Sequence, residues 1–388
     1  MGKIKVLHLL GGGSEIGGIE RVLLNYCAHM NLNRFQFSFC FYRESTFPLL
    51  SEQYSELLKS VDIIELHCFQ GKSSLKGYLK SIPRVARIVA NGDYDIVHIH
   101  AGRPALLVCG LLSSIAARAK IRIVHSHSTL PPKQNMAFPW LNELRIWLVS
   151  TFLIAGSHYQ FACSEAAASY MFGGKAVIEK RVQILPNAIE LEQFAFNTER
   201  RNEIRNEFSI KENTPVIGHI GRFSPPKNHH FLFKVFQKIV LQSPECKFWL
   251  LGDGPLKNQI KIEAEKAGLS KNITFWGERK NVSTFLLGMD LMIFPSLYEG
   301  LSVTLVEAQA TGLPVLASDN LSPEHMLTSK IEFFPLKKGE QAWADEAMRI
   351  LSGQEKRQDM VIEVRNRGYD IIQEAQKLEE FYEEAIRK

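Results

Sequence analysis

The sequence predicts an α/β protein built from two doubly wound domains, and three observations carry that prediction. Short apolar runs alternate with helix-patterned stretches, the runs fall into two series, and a polar, charge-rich stretch without such a run, Asn197 to Asn213, separates them. Alternation of this kind builds parallel sheets, because a parallel strand pair needs a crossover long enough to hold a helix. A chain of 388 residues accommodates two such domains at roughly 100–200 residues each.

The first series runs Lys5 to Leu10, Phe35 to Tyr42, Asp62 to Leu66, Asp95 to His100, Arg122 to His127, Phe161 to Ser164 and Gln183 to Leu185. The second runs Pro215 to Gly221, Lys247 to Gly252, Ile273 to Trp276, Leu291 to Phe294 and Pro314 to Ser318. The boundary falls near Glu190, giving expected domains of residues 1–190 and 191–368. The stretch from about Tyr369 to Lys388 reads as a charged amphipathic helix with Ile371, Ile372, Leu378, Phe381 and Tyr382 as its apolar contacts. It is expected to pack back on the first domain. Ligands of open α/β sheets collect beyond the carboxyl ends of the strands, so two such domains facing each other would enclose a cleft lined by those loops.

Composition narrows the class. Apolar content of 45% and charged content of 22% are ordinary for a globular protein. The formal charge of +5 is uneven, with 20 Lys and Arg against 13 Asp and Glu in residues 1–190, and 26 against 28 beyond. The first domain is therefore the expected face for an anionic partner or a membrane surface. Six cysteines without a C-x-x-C pair suggest neither a disulfide framework nor a zinc site. The N-terminal apolar run, Val6 to Leu10, is too brief for a signal core, and the longest run, Ile146 to Ala155, is too short to span a membrane, so a cytoplasmic location is expected, at most peripheral to a membrane. No nucleic-acid partner is indicated.

The richest motif runs from Pro295 through Glu299, Gly300 and Glu307 to Pro314. Leu291 to Phe294 reads as a strand and Ser302 to Ala310 as a buried helix, which puts Gly300 at a strand-to-helix turn. Backbone amides at a helix start make an anion site that glycine lets a phosphate approach closely. Glu299 outside the helix and Glu307 within it can address opposite ends of one extended polyol. In Gly221-Arg222-Phe223-Ser224-Pro225-Pro226-Lys227-Asn228, two cations on a proline-restrained strand-end loop are suited to neutralising a departing diphosphate. Leu251-Gly252-Asp253-Gly254-Pro255 and Phe275-Trp276-Gly277-Glu278-Arg279 are further strand-end turns.

In the first domain, Gly17-Gly18-Ile19-Glu20 opens a helix and forms a second backbone anion site. His98/His100 and His125/His127 alternate along two strands, so each pair points to one face. His127 ends its strand before Ser128-Thr129-Leu130-Pro131-Pro132, which reads as a ligand-facing loop. Three tempting motifs fail. Gly11-Gly12-Gly13-Ser14-Glu15-Ile16 lacks the third glycine of a dinucleotide fingerprint, and Gly71-Lys72-Ser73 has Leu66 where a P-loop needs glycine. Asp93-Tyr94-Asp95 begins a strand instead of ending one, so it is read as an entry turn and no metal site is expected.

Together these motifs resemble the GT-B glycosyltransferases of family 4, a retaining family. The resemblance spans nearly the whole chain: Gly17-Gly18-Ile19-Glu20, His127, Cys163-Ser164-Glu165, Leu185-Pro186-Asn187-Ala188, Gly221-Arg222 with Lys227, Leu251-Gly252-Asp253-Gly254-Pro255, and Glu299 with Glu307. Ala188 departs from the glycine many members carry. His125-Ser126-His127-Ser128 and Ser296 to Ser302 look most like the subgroup that builds bacterial capsule and exopolysaccharide repeat units.

The resemblance implies two Rossmann-like domains, acceptor binding by the first, nucleotide-sugar binding by the second, and metal-independent transfer from a UDP-sugar without a cofactor. It assigns Arg222 and Lys227 to the donor diphosphate, Glu307 to ribose and Glu299 to the sugar hydroxyls. The amides of Gly300, Leu301, Ser302 and Val303 would hold the distal phosphate, and the Arg279 region would contact the base. Gly17 and Gly18 would admit the diphosphate, with His127 near the transferred sugar. The acceptor would be a glycan or a polyprenyl-diphosphate-linked sugar, docked near a membrane through the segment Pro139 to Trp147. Two rivals stay open from the residues: a sugar-nucleotide epimerase of the same architecture and a non-catalytic nucleotide-sugar sensor.

Overall fold

The computed structural model describes residues 2–11, 18–43, 54–68, 75–128, 139–353 and 356–388. The chain divides into two compact units, Met1–Ala188 joined by Asp370–Lys388, and Ile189–Tyr369. Each is an α/β sandwich around one parallel sheet, the Rossmann-like arrangement.

The first unit holds β1 (Ile4–Leu10), β2 (Phe35–Phe41), β3 (Asp62–Glu65), β4 (Ile96–Ala101), β5 (Ile121–Ser126), β6 (Tyr159–Ala162) and β7 (Val182–Ile184). They lie in the order β3-β2-β1-β4-β5-β6-β7, all parallel. The second unit holds β8 (Val216–Ile220), β9 (Lys247–Leu251), β10 (Ile273–Gly277), β11 (Leu291–Phe294), β12 (Val315–Ser318) and β13 (Ile331–Phe334). Their order is β10-β9-β8-β11-β12-β13. In both sheets the winding reverses beside the first strand, between β1 and β4 and between β8 and β11, and such reversals are where open sheets bind ligands.

Central strands are covered on both faces, so they read as continuous apolar runs: every residue of β4 and of β11 is buried. In the second unit, helix His229–Gln242 presents Leu232, Phe233, Val235, Phe236 and Ile239 to the sheet, where Phe236 stacks on Phe248 at 4.2 Å between ring centroids. Five of the six cysteines are buried as free thiols, and Cys68 is half-buried.

Strand β13 has no counterpart among the sequence-predicted runs. Its four residues sit at the sheet edge with only the first buried, so neither length nor apolar periodicity marks them. The terminal helix, Ile371–Arg387, packs within the first unit against helix Gly18–His29. Its Ile371, Leu378 and Tyr382 are buried, whereas Ile372, expected among the apolar contacts, is 64% exposed. No helix of the described residues is long and apolar enough to cross a membrane.

Candidate functional site

The loops after β8 and β11 bring together two residues that stand 72 positions apart. Lys227 Nζ donates to Glu299 Oε1 at 2.7 Å, with both side chains largely covered, 17% and 13% exposed. The ammonium also lies 4.8 Å from the centre of the Phe294 ring, a cation–π contact that favours a charge held there. This pair sits at the carboxyl ends of the two strands where the winding of the second sheet reverses.

Local backbone explains the placement. A short 3-10 turn, Pro225–Lys227, follows β8, and Asn228 takes a left-handed conformation (φ 57°, ψ 42°) that turns the chain into helix His229–Gln242. Asn228 Nδ2 donates to Pro295 O at 3.2 Å, and the Leu297 amide donates to Pro226 O at 2.8 Å. The Lys227 and Glu299 loops are thus joined by one side-chain and one backbone hydrogen bond besides the ion pair itself. The loop after β9 is pressed against the first. At Gly252 (φ +124°) a Cβ would fall 2.2 Å from Gly221 O, and at Gly254 (φ +146°) 2.6 Å from Phe223 O. Only glycine fits both the conformation and the approach.

Beneath the pair lies a floor of neutral imidazoles. His219 Nδ1 bonds to Ile293 O at 2.9 Å, and His229 stacks on Phe223 with centroids 4.2 Å apart. Burial pushes His219 down to about 4 and His229 to about 2. Uncharged rings under Lys227 spare it the repulsion that charged ones would impose.

Helix Val303–Ala310 begins beyond Glu299, with Ser302 as its N-cap in extended conformation. The Ser302 amide donates to His325 Nε2 at 3.2 Å, while His325 Nδ1 is fixed by Ser322 O at 2.9 Å. One of the four amides expected to face a phosphate therefore already has an internal partner. Gly300 and Val303 are half-buried and Leu301 is buried. Glu307 is buried in the same helix, at 7% exposure.

The other predicted residues are more dispersed. Arg222 and Arg279 are both exposed, Arg222 directly after β8 and Arg279 after β10 with its guanidinium 5.6 Å from the Trp276 ring centre. Gly17 lies outside the described residues, and so do positions 129–138 of the loop after His127. Gly18 is the first residue of helix Gly18–His29.

In the first unit, His127 follows β5, half-buried, and its Nε2 meets His100 Nδ1 at 3.1 Å. Burial lowers its pKa to about 3. It closes a cluster that sequence reading found only in part. His8 on β1, His98 and His100 on β4, and His125 and His127 by β5 all share one sheet face, and Tyr382 from the terminal helix bonds His98 Nδ1 at 2.6 Å. His8 and His325 were missed because each is a single histidine in an apolar or turn context. The signal available for His8 was its alternation phase in β1, useless without knowing that β1 lies beside β4.

Two sequence-family models match the chain: "Glycosyltransferase Family 4" over residues 16–193 and "Glycosyl transferases group 1" over residues 200–367. The chain is 29% identical to the putative glycosyltransferase EpsF of Bacillus subtilis, over 99% of this chain and 97% of that one. It is 25% identical to the Escherichia coli UDP-Gal:alpha-D-GlcNAc-diphosphoundecaprenol alpha-1,3-galactosyltransferase, over 62% of each. Among solved structures it resembles Anabaena HepE in complex with UDP, at a TM-score of 0.74 and 20% identity, covering 98% of this chain and 100% of that one.

Proposed function

This chain belongs to the GT-B glycosyltransferases of family 4, and from that premise we propose that it moves a sugar, with retention of anomeric configuration, from a UDP-sugar to a glycan or polyprenyl-diphosphate-linked acceptor in surface polysaccharide synthesis. The observation that carries the reading is the Lys227–Glu299 pair at the switch point of the second sheet. Breaking an anomeric C–O bond creates an oxocarbenium-like sugar and a diphosphate leaving group, so the chief catalytic need is a fixed positive field at that diphosphate. Lys227 supplies it, with Arg222 beside it on the same loop and the start of helix Val303–Ala310 completing the anion site. A diphosphate competes with Glu299 for the ammonium, which frees the carboxylate for the donor sugar hydroxyls. Glu307 holds the ribose, Arg279 lies toward the base, and His127 toward the transferred sugar. Attack by the acceptor hydroxyl on the face the diphosphate leaves needs no enzyme nucleophile. The choice of UDP and of a lipid-linked acceptor is supported by the names of the E. coli relative's substrates.

Incubating the purified protein with donor alone and then with lipid-linked acceptors tests the reaction. Donor stays intact until acceptor is added; conversion of donor by itself would mean an epimerase, and binding without transfer a sensor. The base is tested by thermal shift. UDP at 100 times its Kd should stabilise the protein by about 2.7 kcal/mol, and equal stabilisation by GDP or ADP would remove the uracil assignment.

Helix Pro139–Gly156 supports peripheral membrane docking of the first unit. Leu144, Trp147 and Leu148 follow helical spacing on one face and are 46%, 60% and 55% exposed, the pattern of an interfacial helix. The protein is expected to sediment with anionic vesicles at low salt and to be released at high salt. Absence of sedimentation at low salt would end this part of the reading.

A further inference from the structure

A hydrogen-bonded file of side chains runs through the core of the first unit and ends at His127. Cys27 Sγ lies 3.8 Å from His8 Nε2, His8 Nδ1 lies 2.9 Å from His100 Nε2, and His100 Nδ1 lies 3.1 Å from His127 Nε2. Helix Gly18–His29 supplies the thiol, β1 and β4 supply His8 and His100 in fixed register, and His127 follows β5, its amide donating to Ala101 O at 3.1 Å. All members except His127 are fully covered.

The protons in this file can be counted. Three neutral imidazoles carry three ring N–H groups, and the two ring-to-ring bonds consume two of them. The third must sit at one end, either on His8 Nε2 facing the sulfur or on His127 Nδ1. A thiol sulfur is a poor acceptor, whereas an imidazole nitrogen accepts well from S–H. A buried N–H spent on sulfur is costly beside one at the half-buried end of β5, where water or a ligand oxygen takes it. The directions therefore run from Cys27 S–H to His8, from His8 Nδ1–H to His100, and from His100 Nδ1–H to His127.

We propose that Cys27, His8 and His100 act as a positioning relay that holds His127 as its neutral Nδ1–H tautomer, so that His127 donates a hydrogen bond to a hydroxyl oxygen of the sugar substrate and takes no proton from it. This rests on the placement of His127 beside the transferred sugar. Burial supports the neutral state throughout: His8 is lowered to about 3, and His100 is lowered well below the usual imidazole value by burial and by its histidine neighbours. At His100, His125 and His127 the ring contacts argue for a relay and against a metal cage. One nitrogen each of His100, His125 and His127 lies within 4.8 Å of the others, but His125 and His127 are stacked with centroids 3.9 Å apart and planes 30° from parallel. Stacked rings direct their in-plane lone pairs side by side, away from a common point. Neither nitrogen of His125 has a partner among the described residues, and it packs against the relay without joining it.

Ring-nitrogen NMR of the histidine-labelled full-length protein tests the proposal. In the wild type, His127 should show a protonated Nδ1 and an unprotonated Nε2. An asparagine amide stands where a histidine Nδ1 stands, so His100→Asn should keep that signature and hold turnover within about threefold, whereas His100→Leu should lose it and lower kcat about tenfold, the worth of one neutral hydrogen bond, with donor KM little changed. A protonated Nε2 on wild-type His127, a signature indifferent to His100→Leu, or loss of the ring N–H signals on adding zinc would each overturn the relay. The wild-type spectrum decides even where a variant fails to fold. A His127→Ala enzyme with undiminished turnover would instead bring down the substrate contact of His127, whatever the ring signals show.

Discussion

Lys227→Ala is expected to lower turnover by about 10²–10³-fold, the typical cost of losing one preorganised donor to a developing negative charge. Glu299 at 2.7 Å and the face of Phe294 hold the ammonium at the strand ends before donor binds, so it stands ready to exchange the carboxylate for the diphosphate with little movement. Because the charge on the diphosphate grows in the transition state, the loss should fall on kcat and kcat/KM together, with a small change in KM. Steady-state transfer with purified donor and acceptor measures it, alongside a melting curve confirming the fold. Unchanged turnover would sink the assignment of Lys227 to the leaving group. A tighter outcome is expected from Glu299→Gln: Lys227 gains a free charge but the sugar loses a carboxylate, so diphosphate binding should survive while transfer falls.

Asp290→Ala is expected to destabilise the second unit by about 3–5 kcal/mol, the usual result of stripping one partner from a buried ionic network. Asp290 stands at the amino end of β11, where its Oδ2 accepts from Arg205 Nη1 at 3.1 Å and from the Val216 amide at 2.8 Å, and its Oδ1 pairs with Arg201. Arg201 and Arg357 both donate to the carbonyls of Leu287 and Met289. Burial lowers the pKa of Arg205 and of Arg357, and Asp290 opposes that shift in both. Removing the carboxylate leaves three crowded guanidinium groups without it. Guanidinium-chloride unfolding should show the midpoint shift, and the affinity of the remaining folded protein for UDP should be unaltered, since the candidate site lies at the other end of the strand. A loss of UDP affinity at full stability would contradict this division of labour.

The sheets were legible in the sequence because parallel strands buried on both faces must be apolar throughout, as Leu291 to Phe294 is. Edge strand Ile331–Phe334 was not, since one covered residue in four leaves no pattern. For the site, Lys227 and Glu299 stood out as charged residues on strand-end loops, but nothing in their 72-residue separation says that they touch. That follows from the adjacency of β8 and β11, a tertiary fact. The same holds for His325, whose hold on the Ser302 amide needs the turn after β12 to fold over the helix start. Alternation put His98 with His100 and His125 with His127, whereas strand order alone adds His8. The segment Pro139 to Trp147 stood out as a docking stretch, but the exposure of its Leu144 and Trp147 is a tertiary fact.

The chain leaves the first unit after Ala188 and returns to it at Asp370. At the crossing the Ile189 amide donates to Tyr369 O at 3.0 Å, so the two junctions are neighbours in space. The second unit is thus an uninterrupted cassette inserted into a split host, and adjacent ends are what let a domain be inserted or exchanged without disturbing its surroundings. Trading the inserted unit between relatives takes two cuts at one spot. Truncating after Ala188 is a different operation, because it strips Tyr382 from His98 and lays bare the histidine-lined face of the host.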